Sequence, residues 1–459
     1  MQLFDLAVEL LEEVFTQLDG VSLARVASVC MLWRNIMLTL PKRRGVWKTV
    51  CLREINLDVL IQITGIYKTS IHSATTSEVL SWEFWRDVYR TWYCGVHITH
   101  WERLETVICC KDNAVGPPNC VRIGGDVVLS GHENGLVRTW DALSGQSLDI
   151  PDTTSLHQHH GPISDMVLHR IDPLELDSEM VINKVEHVYD IVCTSSRDTT
   201  ISFVKLHDST WTYKLRHHSE PVHSVSLFGD HLLTCADDSV GNGNVLLAMD
   251  TFVQSCNVTV EAYLHGFSSS SSNVCSKIWR NQIILADGQF VKWADLEIDS
   301  LRQRKTEDNN DNDMEANVEK HIPHIEPVTI NSRNFKSWVS DIIFRGQLMI
   351  CITGDGLLHM CVEDEEKSIN TMELFKAGAT KISMFGHLFA IGLTNGVVFL
   401  LHFNLEHDLI RRSFYSQPHT TVRNKGEPIK SLDILDDGEG PVIAIATESQ
   451  IKIVRWFPP

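Results

Sequence analysis

The 459-residue chain lacks the short signatures that would announce catalysis. It has no G-x-x-x-x-G-K-S/T phosphate loop, no G-x-S-x-G elbow and no H-E-x-x-H helix. Its twelve cysteines include no C-x-x-C pair, so a structural zinc site lacks its usual ligand spacing despite the 22 histidines. Cys109 and Cys110 are adjacent, and cysteines so placed in a reducing compartment read as small buried hydrophobes. Positive charge is scarce: 40 Lys plus Arg stand against 59 Asp plus Glu, a formal charge of -19. That balance repels nucleic acid and anionic membranes. The N-terminus carries Asp5 and Glu9 where a secretory leader needs a cationic start and an apolar core, and no apolar run is long enough to span a bilayer. The expectation is a cytoplasmic or nuclear protein with no membrane or nucleic-acid partner, and no catalytic, metal or cofactor residue is assigned.

Hydrophobic content of 43% is ample for real cores, and the most legible stretch is the first. Leu6, Leu10, Leu11, Val14, Phe15 and Leu18 fall on one helical face. Asp19-Gly20 breaks the pattern, Ser22 is placed as the N-cap of a second helix, and Leu23, Val26, Ala27, Cys30 and Trp33 continue the apolar face. So short a hairpin has more apolar surface than it can hide alone. It either caps its own protein or completes its core on a partner.

Leu6, Glu9, Leu10, Leu11, Val14, Phe15, Leu18, Asp19, Leu23, Val29, Cys30, Trp33 and Arg34 together resemble the F-box motif. Ala7 stands where that motif has proline, and its later leucine-tryptophan pair is Val46-Trp47, after a basic insert Lys42-Arg43-Arg44. The resemblance implies docking on the Skp adaptor of a cullin-based ubiquitin ligase, with Leu6, Leu10, Leu11, Phe15, Leu18 and Trp33 as adaptor contacts or core. A further helix is expected from Thr75, capped by Glu78, with Trp82, Trp85, Tyr89 and Trp92 along one side and Tyr93-Cys94-Gly95 ending it. It reads as a stiff connector.

After Val96 the period shortens to two and helices give way to strands. From Val127 the unit VVLSGHENGLVRTWDALSGQ shows a strand, an Asn134-Gly135 turn suited to a two-residue hairpin, and a strand ending in Trp140-Asp141. This unit resembles a WD repeat. Equivalent turns stand at Asp198, Asp238, Asp287-Gly288, Asp355-Gly356, Asn395-Gly396 and Ser449, seven in all with Asn134. Asp198 and Asp238 are 40 residues apart, as are Asp355 and Asn395, the length of one propeller blade. Longer gaps hold insertions at Asp172 to His187 and across about 300–325, the latter nearly devoid of apolar residues and expected to be disordered. Only Trp140 and Trp293 occupy the tryptophan position, so the repeats are degenerate. His159 and His218 each precede a β-branched blade opener by four residues and can hydrogen-bond the turn aspartates Asp198 and Asp238 of their own blades.

The last unit offers three strands, Lys430 to Leu435, Val442 to Ala446 and Ile451 to Trp456, so the segment Val96 to Ile108 is expected to supply the fourth and close the ring. The fold class expected is α plus all-β: an F-box helical domain over 1–50, a helical linker over 51–95 and a seven-bladed WD-repeat β-propeller over 96–459.

Two-part layouts of this kind resemble the substrate receptors of SCF-type ligases. The residues preceding the seven turn positions are Glu133, Arg197, Asp237, Ala286, Gly354, Thr394 and Glu448. They are the candidates for the target-binding face, chiefly Glu133, Arg197, Asp237 and Glu448. Three of the seven are acidic and one basic, without the arginine cluster that phosphorylated motifs require. A basic or neutral target segment is therefore expected. The rival reading is a scaffold propeller that recruits no ligase; a third class, a propeller acting on small molecules, requires a polar, charged central channel.

Overall fold

The computed structural model describes residues 6–67, 71, 80–95, 98, 101–110, 116–148, 159–175, 184, 188–206, 212–216, 218–236, 244–250, 257–264, 274–296, 324–325, 330–362, 365–402, 420–424 and 426–457. Helices come first: α1 Val8–Thr16, α2 Gly20–Val26, α3 Met31–Arg44, α4 Val46–Glu54, α5 Leu57–Thr64 and α6 Trp82–Gly95. Asp19, not Ser22, caps α2: its Oδ1 accepts from the Ser22 backbone N–H at 2.6 Å, and Gly20 is the first helical residue. Hydrogen bonds from the Ser22 backbone and side chain hold the Asp19 carboxyl below the usual range. The connector helix begins at Trp82, with Ser81 Oγ accepting from Phe84 N at 3.2 Å. The expected cap at Thr75 and Glu78 lies outside the described residues.

The β-region forms seven sheets. In chain order the first blade is β2 Pro118–Gly124, β3 Val127–His132 and β4 Val137–Asp141; the second is β5 Ile163–Arg170, β6 Tyr189–Ser196, β7 Ile201–Lys205 and β8 Thr212–Leu215. The third comprises β9 Val222–Phe228, β10 His231–Ala236, β11 Asn244–Asp250 and β12 Asn257–Leu264; the fourth, β13 Val274–Trp279, β14 Gln282–Asp287, β15 Phe290–Asp295 and β17 Asn331–Asn334. The short β16 His324–Ile325 adds to β12 in parallel, so the far end of the insertion expected to be disordered is strand; 297–323 lie outside the described residues. The fifth blade is β18 Val339–Arg345, β19 Leu348–Thr353, β20 Leu357–Val362 and β21 Glu365–Asn370; the sixth, β22 Ala379–Phe385, β23 Leu388–Leu393, β24 Val397–His402 and β25 Thr420–Arg423. Six blades have four strands or more. In the first, the outer strand shrinks to a bridge between Trp140 and Ser147.

The seventh blade closes the ring. Its β26 Ser431–Asp436, β27 Pro441–Ala446 and β28 Gln450–Phe457 come from the C-terminus, and β1 Glu102–Cys109 supplies the fourth strand. The register runs from Glu102 opposite Phe457 to Cys109 opposite Gln450, so the closure read from the strand deficit holds. The innermost strands β2, β5, β9, β13, β18, β22 and β26 adjoin one another in that order, and β26 adjoins β2. Side chains on these strands tie neighbouring blades together. Asp433 accepts from Ile123 N at 2.9 Å, Asp341 from Ile382 N at 3.0 Å and Ser226 from Ile278 N at 3.0 Å.

Three expectations are corrected in detail. The Asn134 hairpin is wider than two residues: β3 ends at His132, β4 begins at Val137, and His132 N–H donates to Leu136 O at 2.9 Å with Gly135 at φ 80°. A glycine in left-handed backbone after the turn is what that longer loop needs. A short helix, α7 Thr371–Phe375, interrupts the all-β region because Asn370 caps it on the Glu373 N–H. Ala286 is buried within β14, since the turn there is Gly288-Gln289, one step beyond the position that would expose it.

Candidate docking surfaces: a helical ridge and a propeller face

The N-terminal helices split their apolar residues between an interior and an open ridge. Leu11 and Phe15 of α1 turn inward with Leu23, Val26, Ile36 and Leu40, and Phe15 meets Trp33 edge-on at 5.2 Å between ring centroids. Leu6, Leu18 and Trp33 pack partly buried against the same core. Leu10 points outward at 55% exposure, joined by Met31 at 66%, Leu38 at 65% and the exposed Val8, Val14, Val29 and Leu32. Thus, of the six residues expected at the adaptor contact, Leu10 is on the surface, Leu11 and Phe15 are core, and Leu6, Leu18 and Trp33 stand at the edge. The ridge residues Met31 and Leu38 were missed because α3 carries little helical periodicity from which to assign a face. Exposed apolar side chains on so short a bundle are what a partner would have to cover for the head to complete its core.

The head is seated on the propeller through the two helices that follow it. Tyr89 OH donates to Glu54 Oε2 at 2.8 Å, and Cys51 Sγ donates to Trp85 O at 3.2 Å. Trp85 and Tyr89 are buried, with Trp82 and Trp92 against the same core, which continues into the first, sixth and seventh blades. Gln62 of α5 holds the end of β22 and the turn that follows it in the sixth blade: its Nε2 donates to Met384 O at 3.1 Å and its Oε1 accepts from Gly386 N at 3.0 Å. Arg345 donates to the same Oε1 at 2.8 Å. Arg170 donates to the Gln62 and Ile63 carbonyls at 2.8 and 3.1 Å, a cation at the C-terminal end of α5 where the helix dipole favours it. Asp58 accepts from Trp279 Nε1 at 3.0 Å, and Tyr67 N–H donates to Asp172, a residue of the insertion in the second unit.

At the turns of the first three blades polar side chains fix the loop geometry of the opposite face. His159 lies between Thr194 Oγ1 at 2.9 Å on Nε2 and, on Nδ1, Thr200 Oγ1 at 2.9 Å and Asp198 at 3.2 Å. Burial lowers the His159 pKa and outweighs the aspartate beside it. Burial would raise Asp198, but hydrogen bonds from Thr200 and the His160 N–H hold its pKa down to about 2. The pair is therefore a neutral imidazole donating to a carboxylate. His218 makes the matching bond to Thr234 Oγ1 at 2.9 Å, while Asp238 lies outside the described residues. In the first blade Trp140 Nε1 donates to Ser130 Oγ at 2.8 Å, and Ser130 reaches His132 at 2.8 Å.

On that face Glu133 and Glu448 are brought together by Lys430, whose Nζ lies 3.3 Å from Glu448 and 3.9 Å from Glu133. Arg197 is exposed on the neighbouring blade, and Asp237 lies outside the described residues. Trp338, 51% exposed, lies over Gly354, one of the residues preceding a turn, where an added Cβ would fall 2.4 Å from the indole. No helix among the described residues is long and apolar enough to cross a membrane.

Residues 3–44 match the family model of the F-box domain. No curated protein matches the chain. Among solved structures it is similar to the computationally designed Ika8 protein, at 12% identity, 76% of this chain, 98% of that one and a TM-score of 0.44. It is also similar to the RRP9 WD40 repeats, at 11% identity, 76% and 97% coverage and a TM-score of 0.49.

Proposed function

We propose that this chain, an F-box domain set ahead of a WD-repeat propeller, is the substrate-recognition subunit of an SCF-type ubiquitin ligase. The F-box docks on the Skp adaptor, and through it a cullin scaffold, while the propeller face holds the protein to be ubiquitinated. The receptor itself performs no catalysis. The observation that carries this reading is the open ridge of Leu10, Met31 and Leu38 on helices whose other face is already packed. A head that served only as an internal cap would have turned those side chains inward.

The two ends act together because the seat between them is stiff. Polar anchors at Asp58 and Gln62 and the aromatic stripe of α6 hold the head at one distance from the target face, as ubiquitin transfer across a fixed gap demands. The Glu133–Lys430–Glu448 cluster carries one excess negative charge at its own point on the face, which favours a basic or neutral target segment there.

Co-purification with the adaptor tests this. Leu10→Asp with Met31→Asp places charge at two exposed sites, so the fold survives, whereas Phe15→Asp would bury a charge in the core. Adaptor affinity should fall thirtyfold or more, from a loss on the order of 2 kcal/mol. A folded double mutant that still captures the adaptor as wild type does favours the scaffold reading instead.

A further inference from the structure

The central channel concentrates the charge that the rest of the chain lacks. It is a cavity of about 910 Å³ running from the Glu133 and Lys430 rim down to Arg170 and Arg345 beneath α5. Seven lysines and arginines line it against four carboxylates, a formal excess of +3 inside a chain whose total is -19. Clefts with low-dielectric walls focus such a field onto whatever enters.

The two signs are also differently committed. Asp165, Asp341 and Asp433 accept backbone N–H groups from Val225, Ile382 and Ile123, so they serve as ties between blades; Asp165 additionally holds Arg122 at 2.6 Å. Lys277 and Lys381 make no hydrogen bond or ion pair among the described residues, although Asp341, and to a lesser extent Asp165, raises the Lys381 pKa. Both ammonium groups line the lumen with donors to spare. At the floor, Arg170 and Arg345 bond only to carbonyl and amide oxygens, so no carboxylate within ion-pair distance balances either charge among the described residues.

We propose that the channel is a binding site for a compact multivalent anion of the phosphorylated-solute class, gripped by Lys277 and Lys381. Its volume is within the range of small-ligand pockets. Occupancy would cross-link the inner strands of the fourth and sixth blades and stiffen the ring. The site stands apart from the ridge, and its test does not depend on adaptor binding.

Isothermal titration of the full chain with sodium tripolyphosphate, against sulfate at matched ionic strength, should give saturable binding near one per chain and a raised unfolding temperature. Lys277→Gln removes no existing hydrogen bond and should weaken binding roughly tenfold, with Lys277→Glu weaker still. Circular dichroism and an unchanged ligand-free melting curve confirm that the variants fold. Absence of saturable binding at millimolar tripolyphosphate, or equal affinity in wild type, Lys277→Glu and Lys381→Gln, overturns the assignment.

Discussion

Gly20 lies so close under the ring of Tyr89 that a Cβ added to it would sit 2.1 Å from the tyrosine Cζ. This contact joins the start of α2 to α6, and so couples the ridge-bearing helices to the helix seated on the propeller. Gly20→Ala must push the ring aside, and overpacking of this kind costs about 1–3 kcal/mol. Thermal unfolding should show the loss, and Tyr89→Leu in the same chain should recover part of it. A Gly20→Ala protein that melts with wild type would mean that head and connector are not rigidly joined.

Ring closure gives a second expectation. Among the described residues β28 supplies the outer partner of β27 and the only partner of β1, so deleting 451–459 strips two ladders at once. It also removes Lys452, which bonds Glu105 at 2.9 Å across the closure. The truncated chain should expose the edges of β1 and β27 and aggregate on mild heating, as open edges do. Light scattering during a temperature ramp reads this directly, and an unchanged profile would refute closure through these strands.

His169 supplies a pH-dependent tie between the second and third blades. Burial lowers its pKa, but Asp190 at 2.6 Å and Asp230 at 3.4 Å outweigh burial and raise it to about 9. Because the folded pKa exceeds the unfolded value of about 6.5, the stabilisation is complete below pH 6.5 and is lost as pH rises through 9. A shift of that size corresponds to about 3 kcal/mol. His169→Gln should therefore cost stability at pH 6 and little at pH 9.5, as measured by urea unfolding. A mutational cost that stays constant across that range would show the imidazole to be neutral in the fold.

The parts legible in the sequence were those whose partners are nearby or counted. A three-strand last unit demanded a fourth from elsewhere, and His159 and Asp198 belong to one 40-residue blade. The seat of the head was hidden because Gln62 and Asp58 are ordinary helix polar residues until Met384 and Trp279, separated by 322 and 221 residues, are brought to them. The channel was illegible for the same reason. Arg122, Lys277 and Lys381 sit on inner strands of different blades, and only the closed ring faces them inward. Ser22 was mistaken for a cap because Ser and Asp satisfy the same N–H groups, and the backbone turn alone decides between them.

Asp436, at the end of β26, carries a linkage of the same sign as His169 but in a lower pH window, because here it is the neutral form that burial favours. Burial, chiefly, and Asp437 and Asp87 raise its pKa to about 7, although the Gly438 N–H bonds it at 3.0 Å. With a folded pKa above the unfolded value near 3.9, the folded state binds the extra proton between those limits, so stability falls as pH rises from 4 to 7 and stays low above it. Asp436→Asn keeps an oxygen for Gly438 and removes the charge that burial penalises. The variant should be more stable than wild type at pH 8, by a few kcal/mol at most, and close to it at pH 4. Paired chemical-denaturation curves at those two pH values decide it: a stabilisation equal at both would trace to packing, and a loss at pH 8 would show the ionised carboxylate to be favourably held.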